Sequence, residues 1–129
     1  MHDDSLAPVT TLPWPPGPAD LPLMGGVEGL LVAELHGDLD LATTHHLRYW
    51  LDSLAALAAP AYVLDLRPVS FVDSAGLGPV LRLRRRVLAD GAAFAVVCSP
   101  GTRRLLRAHG TLELLDPVDS MGEATVRLT

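Results

Sequence analysis

The chain has 129 residues, 49% of them apolar, a net charge of −5 and one cysteine, Cys98. That length suits a single domain with an adequate core. The charge argues against a general binder of nucleic acid or anionic membrane, since phosphates need a basic surface, and a lone cysteine excludes an internal disulfide. No apolar run approaches the roughly 20 residues of a membrane span.

Residues 1–20 hold Pro8, Pro13, Pro15, Pro16 and Pro18. Proline fixes φ and removes a backbone donor, so this stretch is expected to be a flexible, extended tail, with the domain covering 21–129. The acidic start, with Asp3 and Asp4, has no apolar core of a secretory signal. "LPLMGGVEGLLVAELHG" reads as two short strands around a Gly-containing turn. In "DLDLATTHHLRYWLDSLAALAAP", Thr43 or Thr44 can cap a helix that runs to about Ala58. Leu47, Trp50 or Leu51, Leu54 and Leu57 or Ala58 form its apolar face.

"AYVLDL" is a nearly continuous apolar run and suits a strand buried on both faces. "SFVDSAGLGPVL" then joins an apolar strand region to a helix ending near Ala89, with Leu77, Val80, Leu81, Val87 and Leu88 as its core side. Arg84 falls inside that arc, and Arg82, Arg84, Arg85 and Arg86 form a cluster read as a solvated face, with partner docking as the lesser alternative. Pro79 deletes a hydrogen bond if this helix begins at Ser74, which moves the expected regular start towards Gly78. "GAAFAVVCSP" gives another buried strand, "GTRRLLRAHG" a short helix stopped by Gly110, and "LELLDPV" a last short strand. "DSMGEATVRLT" starts like a capped helix. The alternation of strands and crossover helices implies an α/β fold with a four- to five-stranded mixed, mainly parallel sheet and helices largely on one face.

Asp73-Ser74 lies at the strand-to-helix joint, at the sheet edge where ligands and partners meet such folds. As a structural device, either residue can cap the helix. As chemistry, the alternatives fare poorly. A nucleophile elbow needs glycine two residues before the serine, and position 72 is Val72. A phosphate-binding P-loop needs lysine, which the chain lacks entirely, and Gly76 and Gly78 give only part of a dinucleotide fingerprint. His45 and His46 are adjacent and would point about 100° apart on a helix, so they do not chelate one ion from one face. No cofactor or metal is expected.

The segment Asp65-Leu66, Val69, Phe71, Asp73-Ser74-Ala75-Gly76-Leu77 resembles the hallmark of the STAS domain family. Gly37-Asp38-Leu39-Asp40 matches the family's second motif, and "SPGTRRLLRAHGTLELL" its third. The chain is most similar to the small bacterial anti-sigma factor antagonists, which implies a STAS-like single domain acting in the cytoplasm. It further implies a non-enzymatic regulator whose partner is an anti-sigma factor, a serine kinase of histidine-kinase-like ATPase fold, with a separate phosphatase resetting the switch. No nucleic acid or membrane partner is implied. On this resemblance Ser74 is the phosphorylation site, and Asp38, Asp40, Asp73, Ala75, Gly76 and Leu77 shape the surface that meets the partner. Ala75 stands where many relatives carry a second hydroxyl, and Pro79 where they carry an aliphatic residue. The family also contains transporter accessory domains and sensor modules that lack a kinase; in those Ser74 would be a helix cap alone.

Overall fold

The longest apolar runs become the interior strands. In the computed structural model, which describes residues 8–17 and 26–129, the elements are β1 (Val9–Trp14), β2 (Leu30–Leu35), β3 (Gly37–Leu39), α1 (Thr44–Ala55), β4 (Ala61–Asp65), β5 (Val69–Val72), α2 (Ser74–Ala89), β6 (Ala93–Val97), α3 (Pro100–Ala108), α4 (Leu112–Leu115) and α5 (Met121–Leu128). Strands β1, β2, β4 and β6 form one sheet in that order, and β3 pairs with β5 in a second. The α/β class and mainly parallel sheet match expectation, and every pairing among the described strands is in fact parallel.

Parallel strands need crossovers, and α1 and α2 supply them on one face. There Leu31, Leu35, Leu64 and Val96 pack with Leu47, Leu54, Val80 and Leu83 in the main core. The opposite face carries Leu30, Val32, Val63 and Val97, closed by Val118 and Ala124 of the C-terminal segment. Both faces are covered, which explains why β2 and β4 read as unbroken apolar runs rather than alternating ones.

Three sequence expectations need correction. Within the supposed flexible tail, Val9–Trp14 is an edge strand in register with Leu30–Leu35. Trp14 is buried against Trp50, with ring centroids 5.6 Å apart. Prolines are compatible with this position, because an edge strand leaves one row of backbone groups unpaired. "LELLDPV" is not a strand: Leu112–Leu115 make one helical turn, ended by Asp116 in the left-handed region, and only Val118 bridges to Val97. Leu and Glu are strong helix formers, so four residues between breakers settle as a turn. The core side of α2 is also rotated: Leu83 is buried while Leu88 is exposed, which moves Arg84 to the margin of the buried face. The strand expected within 21–25 lies outside the described residues. The C-terminal helix does form, with the Ser120 hydroxyl accepting from Glu123 N at 3.1 Å.

Two buried polar groups tie the frame. The Asp65 carboxylate, 3% exposed, accepts from Arg67 Nε at 2.9 Å, Nη2 at 2.8 Å and the Arg67 backbone N at 3.0 Å. This pairing organises the turn from β4 into β5, and the hydrogen bond holds the Arg67 guanidinium above its usual pKa. Tyr62 Oη accepts from Ala59 N at 3.1 Å and donates to Leu54 O at 3.0 Å. Burial pushes its phenol pKa up, and pushes the Cys98 thiol up as well.

A raised folded pKa means that the native state holds the proton more tightly than the unfolded chain. The resulting stability is full below pH about 10 for the phenol and is lost as pH rises through the higher folded value. Tyr62→Phe is therefore expected to cost about 1–2 kcal/mol at neutral pH, chiefly from the Ala59 N–H it leaves unpaired, since Leu54 O still accepts from Leu57 N. It should also show a shallower alkaline loss of stability than the parent in urea titrations. Parallel alkaline profiles would contradict this account.

Candidate functional site

Ser74 is exposed and occupies the first position of α2. The preceding residue, Asp73, is the N-cap: its backbone is extended and its Oδ1 accepts from Gly76 N at 2.9 Å. The division of labour left open by the sequence is thus resolved, with Asp73 capping the helix. Ser74 Oγ makes no hydrogen bond among the described residues. The first-turn N–H groups of Ser74 and Ala75 have no intrahelical acceptor, and the positive end of the helix dipole lies there.

Three segments fix this turn in place. From below, Asp38 pairs with Phe71 and Leu39 with Val72 in the β3–β5 ladder, and Asp73 N donates to Leu39 O at 3.0 Å. The Gly37-Asp38-Leu39-Asp40 segment therefore lies against the Asp73-Ser74 turn. From the C-terminal cap of α3, His109 Nε2 donates to Val72 O at 3.1 Å, which defines the protonated nitrogen because a carbonyl can only accept. From α1, Thr44 Oγ1 donates to Ala75 O at 2.8 Å.

The Thr44 contact explains Pro79. The helix begins at Ser74, not near Gly78 as expected, and Pro79 is buried inside it. Proline cannot give an N–H to the carbonyl four residues back, which is that of Ala75. The Thr44 hydroxyl supplies the missing donor from the neighbouring helix. Thr44→Val is accordingly expected to cost about 1 kcal/mol in the parent chain. It should cost much less in a Pro79→Ala background, where the restored backbone N–H at position 79 can reach the Ala75 carbonyl. A double-mutant cycle by urea unfolding measures this coupling, and equal costs in the two backgrounds would refute it.

The expected site residues differ in what they can reach. Asp38 is exposed, while Asp73 and Ala75 are partly so. Asp40 is turned to its own loop: Oδ1 accepts from Thr43 N at 3.1 Å and from Thr43 Oγ1 at 3.2 Å, which shapes the entry to α1. Gly76 and Leu77, expected on the contact surface, are buried. Gly76 lies directly against the Leu39 backbone and Leu77 belongs to the core, so both build the turn from within. The sequence reading missed Thr44 as a tie, along with His109 and the exposed apolar pair Leu41 (75%) and Phe71 (45%). Phe71 did not follow from strand alternation, because β5 runs buried, exposed, exposed, buried from Val69 to Val72; the contacts of Thr44 and His109 bridge 31 and 37 residues and leave no local signal.

The model of the STAS domain family matches residues 22–124. The chain belongs to this family. The match to the STAS family takes in β2 through the first half of α5, and β1 precedes it. The anti-sigma F factor antagonist of Paenibacillus polymyxa is 29% identical over 102 residues, covering 78% of this chain and 87% of the relative. Among solved structures, an anti-sigma factor antagonist from Mycobacterium paratuberculosis superposes with a TM-score of 0.70 at 25% identity, covering 79% of this STAS chain and 87% of that one. The phosphorylated form of the Bacillus cell fate determinant SpoIIAA shares the fold, with a TM-score of 0.57 at 24% identity over 78% of this chain and 91% of that one. No helix among the described residues is long and apolar enough to cross a membrane.

Proposed function

We propose that this STAS protein is an anti-sigma factor antagonist controlled at Ser74. With Ser74 unmodified it binds an anti-sigma factor, a serine kinase of histidine-kinase-like ATPase fold, and so frees a sigma factor for transcription. Phosphorylation of Ser74 by that partner ends the complex, and a phosphatase restores it. The observation that carries this reading is the exposed, uncommitted Ser74 hydroxyl at the start of α2, on a turn held rigidly from three sides. Two antagonist relatives that align over most of the chain support the same reading.

The geometry suits a substrate and binding module. A phosphate on Ser74 brings roughly −1.5 to −2 charges. The free first-turn N–H groups and the helix dipole stabilise it on the chain's own side. On the partner's side, a surface fitted to a neutral hydroxyl and to the apolar Leu41 and Phe71 meets a hydrated dianion next to Asp73 and close to Asp38. Asp73 Oδ1 caps Gly76 N; the base that takes the serine proton is brought by the kinase, together with ATP and Mg²⁺.

Calorimetry of the unmodified chain with the ATPase-fold anti-sigma factor encoded in the same genome tests the role. The expected result is a defined complex that displaces the bound sigma factor. A chain that neither binds any such factor nor displaces its sigma factor would contradict the proposal.

A further inference from the structure

With no lysine in the chain, all ten of its fixed positive side chains are arginines, and four of them stand at 82, 84, 85 and 86. Helices α1 and α2 pack side by side, and a cleft runs between them. Arg48 of α1 and Arg82 and Arg85 of α2 line it, over a floor of Ala75, Gly78 and Pro79. One acidic side chain meets these arginines: Asp52 Oδ1 accepts from Arg82 Nε at 2.9 Å. Arg48 and Arg85 are exposed and have no hydrogen-bond or ion-pair partner among the described residues. A chain of net charge −5 thus concentrates two uncompensated guanidiniums, and a third partly compensated one, in a single cleft.

The cleft is continuous with Ser74. Gly78, Arg82 and Arg85 follow Ser74 by four, eight and eleven residues, which puts all four within about 80° of the helix circumference. Ala75, on the cleft floor, is the next residue after Ser74. Whatever seats on the Ser74 hydroxyl and extends along α2 enters the arginine cleft.

We infer that this cleft is a second docking element, which receives an acidic segment of the anti-sigma partner. The inference rests on the function proposed above and names the chemistry by which the partner is recognised beyond Ser74. Guanidinium forks match carboxylates in paired, planar hydrogen bonds. A nucleic-acid strand fits less well: it needs a longer basic track than three residues, and the acidic remainder of the chain repels it. The cleft also bears on the switch. A phosphate on Ser74 stands on the same stripe, roughly 12 Å from Arg82 at 1.5 Å of rise per residue, and acts on the cleft by lowering its positive potential rather than by contact.

The test measures binding of the unmodified chain to the anti-sigma kinase by calorimetry at low and at high salt. Arg48→Glu and Arg85→Glu are each expected to weaken binding about tenfold at low salt and to flatten its salt dependence. The charge-removing Arg48→Gln and Arg85→Gln should lose less in the same direction. Arg127→Glu, a reversal of equal size on α5, should bind like the parent. Arg48 and Arg85 are exposed and unpaired among the described residues, so their variants should melt close to the parent, whereas Arg127→Glu gives up the ion pair to Asp116 and its binding is read at a temperature well below its own melting point. Parental affinity in both cleft reversals would overturn the inference and leave the Ser74 reading standing. An equal loss in Arg127→Glu would overturn it in favour of net charge alone. Failure of the parent to bind the kinase would overturn both. Binding of a single-stranded oligonucleotide as tight as that of the kinase, and lost in the same variants, would overturn the choice of occupant.

Discussion

Gly76→Ala is expected to destabilise the domain by about 3 kcal/mol or more, the largest effect of any single methyl group at this site. A Cβ on Gly76 would lie 2.0 Å from Leu39 O and 2.3 Å from Leu39 C. Those atoms are backbone, and they cannot swing aside as the tip of a side chain would. Relief requires β3 to move away from the start of α2, which stretches the bond from Asp73 N to Leu39 O and disturbs the short β3–β5 ladder. The neighbouring glycine provides the control. At Gly78 a Cβ meets nothing within 4 Å, so Gly78→Ala should be neutral or stabilise by up to about 1 kcal/mol through helix propensity. Urea unfolding of the two variants compares them directly. Similar midpoints would mean that β3 does not press on α2 as described.

The second large effect concerns the partner. Ser74→Glu is expected to weaken binding to the anti-sigma kinase by roughly tenfold or more, and Ser74→Ala to change it little. Both substitutions leave the fold intact, because Asp73 caps the helix and Ser74 Oγ holds nothing. Glutamate adds a single negative charge where phosphate adds nearly two, so its effect is a lower bound. Equal binding by the two variants would remove the electrostatic basis of the switch.

The sequence made the site easier to find than to explain. Its apolar runs marked β4 and β6, and the capping chemistry around Asp73-Ser74 marked the strand-to-helix joint. What escaped it was tertiary. Prolines near the amino terminus argued for a loose tail, yet an edge strand tolerates them and Trp14 pins it to Trp50. Pro79 argued for a late helix start until a hydroxyl from another helix was seen to serve the Ala75 carbonyl. "LELL" is too short for periodicity to separate a strand from a helical turn. The arginine cluster on α2 read first as a solvated face and only second as a docking surface, because the arginine that faces it across the cleft, Arg48, comes from α1, 34 residues before Arg82.

The central claim is that Ser74 is the chemical switch of this STAS protein. Incubating the chain with its anti-sigma kinase and ATP, then mapping the phosphate by peptide mass spectrometry, tests it most directly. The account predicts one phosphate, on Ser74, abolished by Ser74→Ala. A phosphate on another residue, or none while the kinase still binds the chain, would contradict it.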